Sequence, residues 1–157
     1  MTREPVTAYV ALGANLGDAA GALREAVEAL VQTTGISDVR CSRLYRSAPV
    51  DASGPDFINA VVELRTVLTA PDLLNALQVI ETQAGRLRPY RHAPRTLDLD
   101  LLLYGSASVS SPRLTVPHPR VWQRAFVLVP LAEIAPQLVS AGQLAAVAEQ
   151  AIEPLEL

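Results

Sequence analysis

The 157-residue chain is 50% hydrophobic and 18% charged, with a net charge of -3. Such a chain suits one compact domain over residues 1–157, and its acidic balance argues against a general nucleic-acid or anionic-membrane surface. All 13 positive side chains are arginine, which excludes a P-loop lysine and Schiff-base chemistry and leaves any phosphate recognition to guanidinium groups.

Residues 6–12 (VTAYVAL) read as a short buried strand, broken by GANLGD at 13–18. Leu23, Ala26, Val27, Leu30 and Val31 recur at helical spacing, so 19–33 is an amphipathic helix packed on a sheet. Residues 37–47 alternate Val39, Cys41, Arg43 and Tyr45 with polar neighbours, the period of a strand. A Pro/Gly/Asp-rich loop at 48–56 leads into a long strand pattern at 57–68. Thr69 caps a second helix that carries Pro71 in its first turn and ends at Gly85. Its inner face is Leu73, Leu74, Leu77, Ile80 and Ala84. A loop at 85–96 precedes a strand at 97–103, and an irregular stretch at 105–119 precedes helices near 125–135 and 142–151. The order is β-α-β-β-α-β, predicting an α+β, ferredoxin-like sheet with additional C-terminal helices, the helices packed on the sheet. The lone Cys41 makes no internal disulfide, and the MTREPVT start has no apolar leader. No apolar run approaches ~18 residues, so the cytoplasm is the expected compartment and no membrane partner is expected.

The run LDLDLLL at 97–103 is unusual, because Asp98 and Asp100 interrupt a buried strand at a spacing of two. Alternation puts both on one face, roughly 7 Å apart, with Leu97, Leu99, Leu101 and Leu103 expected on the other. Unpaired, like charges on a half-buried face cost several kcal/mol or take up protons. Either arginines and solvent neutralise them or a hard cation such as Mg²⁺ does, taking one or two carboxylates and leaving its other positions to water and phosphate. The preceding GRLRPYRHAPRT carries Arg86, Arg88, Arg91, Arg95 and His92 with no acid. Such a loop is either a solvated basic segment or a polyphosphate clamp, and its adjacency to the two aspartates favours the clamp. His118, between Pro117 and Pro119, suits a hydrogen-bond contact on a rigid turn. Phe57 and Asn59 share a strand face, offering a ring for stacking and an amide for reading a planar heterocycle. The rival readings are an RNA-binding ferredoxin-like sheet, for which no aromatic run is present, and a regulatory ligand-binding domain without catalysis.

Together LGANLGD, FINAV, GRLR, PRTLDLDLLLYG, RLTVPHPR and PLAEIAP resemble one family, the 6-hydroxymethyl-7,8-dihydropterin pyrophosphokinases of folate biosynthesis. The resemblance implies transfer of pyrophosphate from ATP to the hydroxymethyl group of a reduced pterin, releasing AMP. It implies Asp98 and Asp100 as ligands of two Mg²⁺ ions, with Arg86, Arg88 and Arg95 engaging phosphates during catalysis. It implies ATP contacts at Gln78, Glu81, Arg88, Leu101, Arg113, Thr115, His118 and Arg124, by side chain or backbone. Phe57 and Phe126 are implied to sandwich the pterin, with Ser47, Ala48, Val50 and Asn59 reading its edge. Small-molecule substrates, no nucleic acid and a monomer are expected. The arginine loop departs from the family pattern at Pro89 and His92, so its closure over ATP is expected to differ.

Overall fold

Small and branched apolar residues alternate faces along Val6–Ala14 (β1), making it the hub strand. Ala8, Val10, Leu12 and Ala14 enter one core, and Tyr9 and Ala11 enter another on the opposite face. The computed structural model describes residues 4–15, 17–48, 55–85 and 97–155. β1 pairs antiparallel with Phe57–Thr66 (β4) on one side and Asp98–Tyr104 (β5) on the other. Ile36–Cys41 (β2) and Tyr45–Ser47 (β3) both pair antiparallel with β4.

Two helices cover the first face. Ala19–Val31 (α1) starts at Asp18, whose carboxylate accepts from the Gly21 N–H. Ala70–Gly85 (α2) starts after Thr69, whose hydroxyl accepts from the Asp72 N–H as the sequence predicts. Leu23 and Leu30 of α1 and Leu73 and Leu77 of α2 are fully buried against the sheet. The path β5-β1-β4-β3, with α1 and α2 on one side, is the expected α+β ferredoxin-like arrangement.

The fold differs from the sequence reading in several places. The strand expected over 37–47 is two strands, because Ser42 Oγ accepts from the Val61 N–H and takes the place of a ladder carbonyl. The irregular 105–119 stretch contains a hairpin of Val109–Ser110 (β6) and Thr115–Val116 (β7). Beyond the helices Ala125–Ile134 (α3) and Ala141–Ala146 (α4), Ile152–Pro154 (β8) adds to the sheet beside β3. Leu103 faces the same core as Leu102 rather than joining Leu97, Leu99 and Leu101, because a bulge interrupts the β1–β5 register. Tyr9 opposes Leu103 and Val10 opposes Leu101, so Leu102 is the extra residue.

The second face is covered by α3, through Val127, Leu131 and Ile134 packed on Tyr9, Ala11, Val61 and Leu102. The sheet strands grip the C-terminal turn of α3. Glu133 accepts from the Tyr45 hydroxyl and from the Arg43 backbone N–H, and it pairs with the Arg43 guanidinium at 3.5 Å. The Arg40 guanidinium donates to the Ile134 carbonyl, where a helix end leaves acceptors unfilled. Burial pushes the Glu133 carboxyl up, but the bonds from Tyr45 and Arg43 and the Arg43 charge outweigh it and hold it below 4.5. A depressed carboxylate adds stability that is complete above its unfolded value and lost as pH falls through its folded value. Glu133→Gln should therefore lose about 1 kcal/mol at neutral pH. In paired denaturant titrations, the gap from wild type should close as pH falls below 4.5.

Candidate active site

Because α3 covers one end of its face, a row of residues stays together at the other end. Opposed residues on antiparallel strands point the same way, and the register aligns Asp98 with Gly13, Gly13 with Asn59, and Asn59 with Tyr45. One residue row along, Asp100 lies opposite Ala11. With strands about 4.8 Å apart, Asn59 and Asp98 stand roughly 10 Å from one another across Gly13. The strand expected to end at Leu12 runs on through Ala14, and Gly13 is therefore within the sheet. A Cβ at Gly13 would meet Asn59 Nδ2 at 3.2 Å, so the glycine leaves that amide its space. A glycine inside an apolar strand was the available signal for such a close approach.

Asn59 is 5% exposed, and its Oδ1 accepts from the Ser47 hydroxyl at 2.6 Å. That bond orients the amide and turns Nδ2 toward Gly13. Among the described residues Nδ2 has no hydrogen-bond acceptor, an expensive state for a buried donor unless a ligand supplies one. Phe57 precedes Asn59 on the same face, opposite Ser47, and is half-buried. Ala48 follows β3 and is exposed.

Asp98 and Asp100 are both solvent-accessible, while Leu97, Leu99 and Leu101 are buried beneath them. Surrounding protein nevertheless strips hydration from Asp100 and raises its carboxyl above 3.8. The Asp98 charge adds to the rise, and His118 and Arg124 oppose it. Both of those residues are thus brought to the acidic pair. His118 is held by its own N–H, which donates to the carbonyl of the bulged Leu102 at 2.9 Å. Its Nδ1 accepts from the Arg120 N–H at 3.2 Å, which fixes the orientation of the ring. Arg124 lies over the Phe126 ring at 5.3 Å, and Phe126 packs at the edge of the α3 core.

The remaining nucleotide candidates flank β5. Arg113 donates to Asn75 and to Gln78 Oε1 at 3.3 Å, linking α2 to the segment before β7. Thr115 is exposed on β7, which lies beside β5. Glu81 accepts from the Leu99 N–H at 2.8 Å, so it secures the start of β5 between the two aspartates. Leu101 departs from a side-chain reading, since it points into the core under α1 and α2 and offers a ligand only backbone. Val50, Arg86, Arg88 and Arg95, with Pro89, Arg91 and His92, lie outside the described residues.

Residues 9–136 match the sequence profile of 7,8-dihydro-6-hydroxymethylpterin-pyrophosphokinase, abbreviated HPPK. The chain belongs to the HPPK family. A Methylorubrum extorquens 2-amino-4-hydroxy-6-hydroxymethyldihydropteridine pyrophosphokinase is 49% identical over 137 residues, 87% of each chain. The Synechocystis sp. protein of the same name is 48% identical over 132 residues, 84% of this chain and 68% of its own. A crystal structure of a Plasmodium falciparum HPPK-DHPS triple mutant superposes with a TM-score of 0.67 at 13% identity. That likeness covers 92% of this chain but 42% of the longer one, and it supports the HPPK fold. The sequence reading passed over Tyr45, Glu133 and Gly13, each of which acts through a partner distant in sequence.

The raised carboxyl of Asp100 has a direct consequence for the ligand-free protein. A carboxylate raised by folding costs no stability below its unfolded value and costs most above its folded value. Asp100→Asn should thus melt at a higher temperature than wild type at pH 7 without metal or nucleotide. The difference should vanish below pH 3.8 in calorimetric scans.

Proposed function

We propose that this chain, read as one domain over residues 1–157, moves the terminal pyrophosphoryl group of ATP to the hydroxymethyl oxygen of 6-hydroxymethyl-7,8-dihydropterin. AMP leaves, and the product serves folate biosynthesis. The observation that carries the reading is the single row Asp98, Gly13, Asn59, which holds a buried amide whose Nδ2 has no acceptor among the described residues, about two strand spacings from a pair of carboxylates. Family membership supports the same chemistry.

In this reading the pterin lies at the Asn59 end, with Phe57 and Phe126 on its faces and Ser47, Ala48 and Val50 along its edge. Asn59 Nδ2 donates to a ring acceptor, which satisfies the buried amide. The triphosphate lies over β5, contacted by Gln78, Glu81, Arg113, Thr115, His118, Arg124 and the Leu101 backbone. The hard carboxylate oxygens of Asp98 and Asp100 suit Mg²⁺, and Asp100 is held in a setting that disfavours its own charge, so a cation there relieves it. When bound on Asp98 and Asp100, two such ions would offset charge on the triphosphate. Arg86, Arg88 and Arg95 supply bidentate donors to phosphate oxygens. The hydroxymethyl oxygen then bonds to the β-phosphorus as the bond to the α,β-bridging oxygen breaks and the hydroxyl proton passes to water, a step governed by positioning and charge neutralisation.

Among the described residues no helix is long and apolar enough to cross a membrane. A cytoplasmic monomer acting on two small molecules completes the proposal. An AMP-release assay with ATP, Mg²⁺ and 6-hydroxymethyl-7,8-dihydropterin tests it, and release that does not depend on the pterin would overturn it. Asp98→Ala and Asp100→Ala should each abolish transfer in proteins that remain folded by circular dichroism. Asn59→Leu should weaken pterin binding by about 1–3 kcal/mol in calorimetric titrations, with a much smaller effect on ATP, because the pterin edge loses its partner.

A further inference from the structure

Arg124 holds an unusual place. It is the residue before the first turn of α3, it carries no side-chain cap, and its φ of -127° and ψ of 124° are extended rather than helical. Extended backbone between a short 3₁₀ turn at Val121–Gln123 and an α-helix is free to swing about both torsions unless the flanking peptide units are held. The unit after Arg124 is held in part by the Val127 and Leu128 N–H groups, which donate to the Arg124 carbonyl, and one side chain reaches both units. Gln150 Oε1 accepts from the Ala125 N–H at 2.8 Å, and Gln150 Nε2 donates to the Gln123 carbonyl at 3.0 Å. These two groups belong to the peptide units on either side of the Arg124 Cα, so a single amide restrains φ and ψ of that residue together. The Ala125 N–H is also one of the donors that a helix start leaves unfilled, and Gln150 fills it from a distant segment.

Gln150 is itself anchored. Its own N–H donates to the carbonyl of Val147, which is 4% exposed and packs with Ala125 and Leu128 of α3. The segment carrying it lies beyond residues 9–136, which carry the family match.

We infer that Gln150 is a positioning residue for Arg124, setting the angle at which that guanidinium lies over Phe126 and acts on Asp100. The inference rests on the proposed nucleotide role of Arg124. A guanidinium displaced by an unrestrained backbone keeps its charge but loses its fixed aim, so binding of the triphosphate suffers while the reacting groups on Asp98 and Asp100 stay intact.

The test compares Gln150→Met with wild type and places both in an Arg124→Ala background. Gln150 is exposed, so the variant leaves the core unchanged. Gln150→Met should raise KM for ATP about five-fold, roughly the worth of one net hydrogen bond, while kcat and KM for the pterin change by less than about two-fold. With Arg124→Ala already present, Gln150→Met should add nothing. Emission from the sole tryptophan, Trp122, beside Gln123, should shift in Gln150→Met with or without ATP. Equal five-fold losses in both backgrounds would overturn the inference, as would an unchanged KM for ATP in a variant that melts lower than wild type. If Arg124→Ala alone left KM for ATP unaltered, the nucleotide role of Arg124 would fail and the inference with it. An Arg124→Ala defect beside a silent Gln150→Met would overturn the inference alone.

Discussion

Everything at this site depends on which face each residue of β5 takes. A one-residue slip against β1 would turn Leu97, Leu99 and Leu101 out of the core and drive Asp98 and Asp100 into it. Each leucine is worth about 1.5–3 kcal/mol when fully buried, and each unpaired carboxylate costs several kcal/mol. No compensating contact approaches that sum, so the register is fixed by both faces at once. The bulge at Leu102 then resolves the opposite demand farther along the strand. It lets Leu102 and Leu103 both enter the core under α3, and its carbonyl receives the His118 N–H. One extra residue therefore closes a core and fixes a loop beside the acidic pair.

The two faces of the sheet are finished differently, and the difference makes the site. Two long helices cover the first face from end to end, whereas α3 covers only the Tyr9, Ala11, Val61 and Leu102 end of the second. Gly13, Asn59, Asp98 and Asp100 lie beyond those residues, a place polar groups can occupy without displacing core. α3 is secured at both ends by partners far from it in sequence. Arg40, Arg43 and Tyr45 hold its C-terminal turn, and Gln150 holds its start. A short helix placed this firmly gives Arg124 and Phe126 a defined position above the sheet.

The electrostatics run in the same direction as the packing. Lost hydration and the neighbouring Asp98 leave the Asp100 carboxyl poorly satisfied, and the nearby His118 and Arg124 compensate only in part. A folded protein tolerates such a group at a functional site because a ligand restores the balance. Asn59 is the neutral counterpart, a buried amide with its oxygen satisfied by Ser47 and its nitrogen without an acceptor among the described residues. The two incomplete groups sit on neighbouring rows of one sheet face, which is why a substrate pair that is polar at one end and polyanionic at the other suits this surface.

Much was legible before any coordinates. Periodicity located β1, α1, α2, β4 and β5, and the order of those elements dictated the sheet, because local spacing of apolar residues decides which segments can share a core. The acidic pair stood out because charge inside an apolar strand is costly wherever it occurs. The break between β2 and β3, the short strand β8, the β6–β7 hairpin and the Leu102 bulge were not legible, since features this short are stable only through the partners they pair with. The same holds for Tyr45, Glu133 and Gln150, which look like ordinary polar residues until folding sets them against groups 88, 90 or 25 positions away. Sequence alone determined the elements and the chemistry they carry, through local periodicity and residue type. Only the tertiary structure decided which face stayed open and what held its groups in place, because those depend on contacts between segments that no local pattern records.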